Sequence, residues 1–176
     1  EGHLNNRYFP GTRPLDLAEF QAEETISQLF HLGTEYRVSV QPHSATQANQ
    51  IVWSSFLNAE SHVIGLSLND GGHISHILGL PNGVKFEGFP VGSGGIDYDK
   101  LETQILSTRP HLIVAGGSSY PKEIDYKRLA NIAAKVDARL HADISHTAVF
   151  VASGVHSSCI PYADSVTLDT SKNLRG

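Results

Sequence analysis

The sequence alternates short apolar runs with amphipathic helical patterns, and this regular alternation is the feature that most constrains the fold. The apolar runs predict strands over residues 62–66, 84–89, 111–115, 139–143 and 165–168. Helical spacing predicts helices over residues 14–30, 98–106, 125–136 and 145–152, and one that follows the 41–49 loop and ends at residue 57. The repeated strand–loop–helix order predicts an α/β domain with a largely parallel sheet, in which ligands bind beyond the carboxyl ends of the strands.

Composition limits the classes of partner. The chain has 176 residues, of which 40% are hydrophobic, and this is enough for one domain with a core. Its 13 Lys and Arg against 18 Asp and Glu give a net charge of −5 without a basic cluster. Neither nucleic acid nor an anionic membrane is therefore predicted as a partner. The expected ligand is a small molecule.

Cysteine and methionine usage bears on location and completeness. The single cysteine, Cys159, excludes an internal disulfide and fits a reducing compartment, and no apolar run is long enough to span a bilayer. A cytoplasmic protein is predicted. The chain lacks methionine and ends shortly after Lys172, which indicates a segment of a longer protein with a further carboxyl-terminal domain.

The first residues show no strand or helix period. Residues 1–13 are rich in Gly, Asn, Pro and Arg and are predicted to form an N-terminal arm or interface loop, whereas residues 14–176 are predicted to form the large domain. Residues 37–40 favour a short strand. The arm has too little apolar periodicity to fold alone, so it is expected to dock on another surface.

One lysine follows the last predicted strand. The run at residues 165–168 places Lys172 among Thr170, Ser171 and Asn173, which can form hydrogen bonds but carry no charge. An amine without a firm charge partner is suited to a carbonyl cofactor. The alternative is a solvated lysine in a polar turn.

Polar residues stand at two further junctions between predicted elements. Ser44 and Thr46 precede a helix whose free N–H groups suit a phosphate, or they cap that helix. Two glycines before His73 would let the backbone pass close to a ligand, and His73 would stack on a flat heterocycle or form hydrogen bonds in a loop. His73, His76 and Asp70 lack a further strong ligand at a recognised spacing, so no metal is predicted.

The predicted strand at 139–143 ends in an aspartate. Asp143 would keep a pyridine nitrogen protonated or would cap the helix predicted from residue 145. A phosphate-type helix start, a histidine that can stack, a strand-end aspartate and a strand-end lysine occur in one chain. Pyridoxal 5′-phosphate requires all four.

Four segments resemble motifs of the serine hydroxymethyltransferase family, within the fold-type I pyridoxal-phosphate enzymes. They are Gln-Pro-His-Ser-Ala-Thr-Gln-Ala-Asn at 41–49, Gly-Gly-His-Ile-Ser-His at 71–76, Ala-Asp-Ile-Ser-His at 142–146 and Thr-Ser-Lys-Asn-Leu-Arg-Gly at 170–176. The resemblance covers essentially the whole chain. It implies a fold-type I large domain, with a mostly parallel central sheet and helices on both faces.

The resemblance also assigns roles to residues. Lys172 would carry the cofactor covalently, Asp143 would pair with the pyridine nitrogen and His73 would stack over the ring. The remaining cofactor contacts implied are Ser44, Ala45 and Thr46 at the phosphate, Ser118 and His146 near the phenolic oxygen, and Thr170 beside the lysine. Glu1 would be an acid/base group contributed across a dimer interface, with Arg7 and Tyr8 beside it, and Glu1, Tyr8 and Ser118 would contact the substrate.

The activity implied is reversible cleavage of serine to glycine, with transfer of the one-carbon unit to tetrahydrofolate. A homodimer or homotetramer with shared active sites is implied as well. Several positions depart from the family pattern, among them Ser171 in place of the usual histidine and Phe9 in place of the usual tyrosine. These departures leave open an L-threonine transaldolase that makes β-hydroxy amino acids from threonine and an aldehyde. A catalytically silent scaffold is a further alternative.

Overall fold

The computed structural model describes residues 2–3 and 5–176, and the chain divides into two compact units, Glu1–His43 and Ser44–Gly176. The helix that follows the predicted arm belongs to the first unit. The predicted division into an arm of residues 1–13 and a large domain of residues 14–176 stays a prediction. Within the described residues, no helix combines the length and apolar character needed to cross a membrane.

The first unit contains a small antiparallel pair and one long helix. Strands β1 (Gly2–His3) and β2 (Asn6–Arg7) pair with each other, and helix α1 (Arg13–Leu29) has a proline in its first turn. Arg7 Nε donates to Asp16 Oδ1 at 2.7 Å, and the same guanidinium bonds Glu19. These charge-assisted bonds tie the arm to α1.

The prediction of a short strand at residues 37–40 is wrong, because this segment has no regular secondary structure. A β-favouring run becomes a strand only when a partner strand offers a ladder of backbone hydrogen bonds. No described strand pairs with residues 37–40.

The second unit is built on a five-stranded parallel sheet. Its strands are β3 (His62–Gly65), β4 (Lys85–Gly88), β7 (Leu112–Gly116), β8 (Arg139–Asp143) and β9 (Ser165–Thr167). The spatial order is β4-β3-β7-β8-β9. A small antiparallel hairpin follows β4, and its strands, β5 (Val91–Gly92) and β6 (Gly95–Ile96), have two residues each. The parallel sheet confirms the predicted α/β class.

The helices of the second unit are α2 (Ala45–Phe56), α3 (Tyr98–Thr108), α4 (Tyr126–Ala134) and α5 (Ala148–Ala152). The first three begin at caps whose side chains accept a backbone N–H, namely Ser44, Asp97 and Asp125. The last helix begins later than predicted, at Ala148, because residues 145–147 form a turn.

One part of the core lies where α2 packs against the sheet. Trp53 is 1% exposed and packs with Val63, Leu112 and Val114, which are fully buried. The central strand β7 is buried along its whole length, as expected for a parallel sheet covered by other elements. A polar side chain in this region therefore needs a protein partner.

Candidate active site

A cleft opens at the carboxyl ends of the strands. Chain order along the sheet reverses between β3 and β7, and such switch points are where open α/β sheets bind ligands. The cleft has a volume of about 200 Å³ and is lined by Ala45, His73, Gly117, Asp143, Ser145, His146 and Lys172. A larger neighbouring cleft of about 410 Å³ shares Gly117 and Asp143, but neither His73 nor Lys172 lines it.

The register of the sheet brings distant residues to this edge. Gly116 pairs with Asp143 across β7 and β8, and Asp143 pairs with Thr167 across β8 and β9. The segments that follow these strands therefore start side by side. This is why Gly117, Ser145 and Lys172 reach one cleft.

Asp143 is a buried carboxylate surrounded by donors. It is 7% exposed, and its Oδ2 accepts from Asn49 Nδ2 at 2.8 Å and from His76 Nε2 at 2.9 Å. Its Oδ1 accepts from Ser145 N at 3.0 Å and from Ser145 Oγ at 2.6 Å. Burial raises the pKa of Asp143, but hydrogen bonds from His76, Asn49 and Ser145 and the charge of His76 outweigh it and hold the pKa well below its usual range. Asp143 is thus ionised at neutral pH, and its bonds to Ser145 form a local turn instead of the helix cap that was the alternative.

Lys172 lies in a short kinked turn, Thr170–Leu174, that follows β9, and its own backbone, with φ −82° and ψ −109°, is not helical. Its Nζ is 3.3 Å from His146 Nε2 and 3.7 Å from Asp169 Oδ2. Asp169 is therefore a charge partner that the immediate polar neighbours did not reveal, although 3.7 Å is too long for a strong hydrogen bond. Asn173 Nδ2 donates to His146 O at 2.5 Å, which ties the lysine turn to the segment after β8.

Two histidines line the cleft and are neutral at pH 7. Burial lowers the pKa of His73, and the nearby His76 and Lys172 lower it further. Burial and the Lys172 ammonium likewise lower the pKa of His146. A neutral imidazole has one nitrogen that donates and one that accepts a hydrogen bond, so both rings can bind polar atoms of a ligand at the cleft.

The glycines before His73 allow close contacts between backbone segments, and their predicted approach to a ligand stays a prediction. A Cβ on Gly71, whose φ is +94°, would lie 2.5 Å from the backbone N of Tyr120, and a Cβ on Gly72 would lie 2.1 Å from Leu66 O. The close approach is therefore to the protein's own backbone. At Gly71 the loop after β3 packs against the loop after β7.

At the amino end of α2, the predicted phosphate residues have different environments. Ser44 Oγ accepts from Gln47 N at 3.1 Å and so caps the helix, Ala45 lines the cleft, and Thr46 is exposed. The first N–H groups of a helix have no acceptor within it and carry a partial positive charge. Capping by Ser44 leaves the N–H groups of Ala45 and Thr46 as candidate phosphate donors.

Two further predicted site residues of the second unit, Ser118 and Thr170, do not line the cleft. Ser118 lies in the loop after β7, where its N donates to Gly71 O at 2.8 Å. Thr170 begins the turn that carries Lys172, and its O accepts from Gly176 N at 3.0 Å. Tyr8 is in the first unit and is 87% exposed. Glu1 lies outside the described residues. Roles for these residues stay predictions.

Several residues beside the cleft were missed. They are Asn49, Ser75, Gly117, His141 and Ser145. One signal was available, because Asn49 lies four residues from Ala45 and from Trp53 on one face of α2, where a polar residue is unusual. Among the described residues, no group of three or more His, Cys, Asp or Glu side chains could hold a metal ion.

The burial of His141 predicts acid sensitivity. Burial lowers the pKa of His141 to about 4, whereas an unfolded histidine titrates near 6.5. Between these two pH values the unfolded chain therefore binds more protons than the folded chain. The stability that neutral His141 contributes is complete above pH 6.5 and is lost as the pH falls toward 4. We expect the wild type to lose about 2 kcal/mol of unfolding free energy on this account between pH 7.5 and pH 5.

Urea unfolding of the full-length protein at both pH values tests this expectation. His141→Gln should lose correspondingly less stability between the two pH values than the wild type. His31→Gln, which removes an exposed histidine, is the matched control for the loss of one imidazole. An equal pH dependence of the wild type and His141→Gln would contradict the assignment.

The strands of the sheet are parallel, an aspartate ends one strand, and a lysine lies just beyond the next one. This arrangement defines the structural class of the chain. The chain has the fold-type I α/β fold.

Comparison with known proteins identifies the family. The model of the family "Serine hydroxymethyltransferase" matches residues 1–176. The chain is 40% identical over 181 residues to the serine hydroxymethyltransferases of Psychrobacter cryohalolentis and Psychrobacter arcticus, which covers 100% of this chain and 43% of each relative. It is 41% identical over 182 residues to that of a Marinomonas species, covering 100% of this chain and 42% of the relative. The chain belongs to the serine hydroxymethyltransferase family, as its motifs predicted, and spans less than half the length of these curated relatives.

Proposed function

We propose that the protein containing this chain is a pyridoxal 5′-phosphate-dependent serine hydroxymethyltransferase. It would interconvert serine and glycine and transfer the one-carbon unit to tetrahydrofolate. The observation that carries the proposal is that the ionised carboxylate of Asp143 and the amine of Lys172 line the same cleft. Family membership and the names of the relatives support the same activity.

The donor set of the cleft fits pyridoxal phosphate. Asp143 offers a carboxylate to a protonated pyridine nitrogen, His73 offers an imidazole ring, and Lys172 offers a primary amine to the aldehyde. The amino end of α2, at Ala45, offers N–H groups to the phosphate. When bound, the cofactor withdraws electrons from the amino acid at Cα.

The chain's own residues would hold charges around this chemistry. Because its carboxylate stays ionised, Asp143 would stabilise a positive charge at its side of the cleft. The neutral His146 Nε2 lies 3.3 Å from Lys172 Nζ and can accept a hydrogen bond from that ammonium, which holds the amine at the cleft. His73 forms one wall of the same cleft.

The transaldolase alternative is not favoured by the comparisons, since the relatives are named serine hydroxymethyltransferases. One of the two departures that raised it also has a local structural role. Ser171 Oγ donates to Asp169 Oδ1 at 2.6 Å, and its backbone N donates to the same oxygen at 3.0 Å. Ser171 therefore stabilises the turn that carries Lys172.

A product assay of the full-length protein tests the proposed activity. We expect L-serine to yield glycine with a strong dependence on tetrahydrofolate, and L-threonine with an added aryl aldehyde to yield little new β-hydroxy amino acid. Glycine formation without folate dependence, together with efficient transaldolation, would overturn the proposal. A cytoplasmic location stays a prediction from the single cysteine.

We further propose that the protein works as a homodimer or homotetramer with shared active sites. No residue of α1 is buried, and Leu15, Leu17 and Phe20 are each at least 50% exposed. Exposed apolar residues on one helix mark a surface that binds a partner. A second copy of the chain is the partner proposed, with Glu1 and Tyr8 contributing to a site that contains the other copy's Lys172.

Complementation between inactive variants tests the shared site. Glu1→Gln and Lys172→Ala should each be inactive alone. After subunit exchange, up to one of the two sites in a mixed dimer would have both residues intact, so part of the activity should return. If exchange is demonstrated by mass labelling and no activity returns, the shared site is excluded.

A further inference from the structure

A network of buried polar side chains lies directly behind Asp143. Asn49, His76 and His141 are fully buried, and Ser75 is 3% exposed. Such groups are costly to bury unless each finds a hydrogen-bond partner. Asn49 is the branch point, because it contacts Asp143, Ser75 and His141.

The ionised Asp143 determines the orientation of the Asn49 amide. A carboxylate only accepts, so the group 2.8 Å from Asp143 Oδ2 must be the amide Nδ2. Its second hydrogen points to Ser75 Oγ at 3.1 Å. The amide oxygen then faces His141 Nε2 at 3.1 Å, and this nitrogen must carry a proton.

The tautomer of His141 follows from this orientation. With Nε2 protonated and the ring neutral, His141 Nδ1 accepts from Ser165 Oγ at 2.9 Å. Trp53 lies edge-on to the same ring, with centroids 5.1 Å apart and planes at 78°. His141 is therefore held in one plane and one tautomer. The titratable neighbours that act on it are Asp143 and His76.

The same amide also reaches the wall of the cleft. Ser75 Oγ, having accepted from Asn49, can donate to His73 Nδ1 at 2.7 Å. Ser75 N donates to that nitrogen as well, at 3.2 Å. The proton of neutral His73 therefore lies on Nε2.

We propose that Asn49 is a positioning residue that orients the Asp143 carboxylate and sets the tautomer of His141 through a single amide orientation. Its consequence for cofactor binding rests on the proposed function. Ala45, Asn49 and Trp53 lie on one face of α2, so one helix connects the cleft, the carboxylate and the buried histidine. Positioning of this kind lowers the cost of organising charges when a ligand binds.

Histidine ring ¹⁵N spectra of the full-length apoprotein test the tautomer of His141 without any cofactor. We expect the wild-type His141 to show the neutral Nε2–H form, with its signals assigned by their loss in His141→Gln. In Asn49→Leu, which is similar in size but has no polar atoms, Nε2 loses its acceptor while Ser165 Oγ still faces Nδ1. His141 should then change to the Nδ1–H form.

Gln50→Leu is the matched control, because it introduces the same side chain at an exposed position of the same helix. It should leave the His141 tautomer unchanged. A wild-type His141 in the Nδ1–H form would overturn the proposal, and this measurement stands even if Asn49→Leu fails to fold. An unchanged tautomer in folded Asn49→Leu would overturn it as well.

Titration with pyridoxal 5′-phosphate separates this proposal from the proposed function. We expect Asn49→Leu to raise the cofactor Kd about tenfold or more, and Gln50→Leu to leave it unchanged. A wild type that does not bind pyridoxal phosphate would refute the proposed function and leave the tautomer result intact. Equal affinities of wild type and Asn49→Leu would refute the positioning role alone.

Discussion

Lys172→Ala is expected to abolish covalent retention of pyridoxal phosphate and to lower turnover by on the order of 10⁴-fold or more. Among the described residues that line the cleft, Lys172 supplies the primary amine. Its turn is held by Asn173 and by the Asp169 cap, so alanine should remove the amine without unfolding the segment.

Borohydride reduction followed by peptide mapping measures this effect directly. In the wild type the reduced cofactor should be found on Lys172. Lys127→Ala is a suitable control because Lys127 is an exposed lysine of α4, and this variant should retain full labelling. Recovery of the label on Lys122, Lys127 or another lysine would show that the central assignment is wrong.

Asp143→Asn is expected to slow turnover by about 10³-fold, with a smaller effect on folding. Asparagine keeps an oxygen that can accept from Ser145 N and Oγ, so the local turn can persist. It removes the negative charge that keeps a pyridine nitrogen protonated. It also places an amide next to the donors of Asn49 and His76, which then lose their anionic acceptor.

Steady-state kinetics of serine cleavage and thermal unfolding of the same samples separate these roles. Asp125→Asn is the matched control, because Asp125 also accepts a backbone N–H, from Arg128 at 2.9 Å, but caps α4 away from the cleft. That control should keep near-wild-type turnover. Near-normal turnover of folded Asp143→Asn would mean that Asp143 only shapes the turn after β8.

The residues that face the cleft could be predicted because each follows a strong local signal. Asp143 ends an apolar strand, and Lys172 follows another one by a few residues. In a parallel sheet such positions come together at one edge, so their proximity follows from the topology. Ser118 and Thr170 satisfy the same rule but do not line the cleft, because a strand end determines the edge of the sheet and not the direction of a side chain in the loop.

The amino-acid sequence by itself determined the order of the elements in the second unit, the α/β class and the family. Hydrophobic periodicity and capping residues act over a few neighbouring positions, so they can be recognised without a partner. The motifs around Asp143 and Lys172 are equally local.

Only the tertiary structure decided what surrounds those motifs. Asn49 and Asp143 are 94 positions apart, and their 2.8 Å contact depends on how α2 packs against the sheet. The low pKa of Asp143 and the neutral state of His141 arise from burial and from donors on separate elements, which no local pattern encodes. The absence of a strand at residues 37–40 has the same physical reason, because a strand exists only where another chain segment completes its hydrogen bonds.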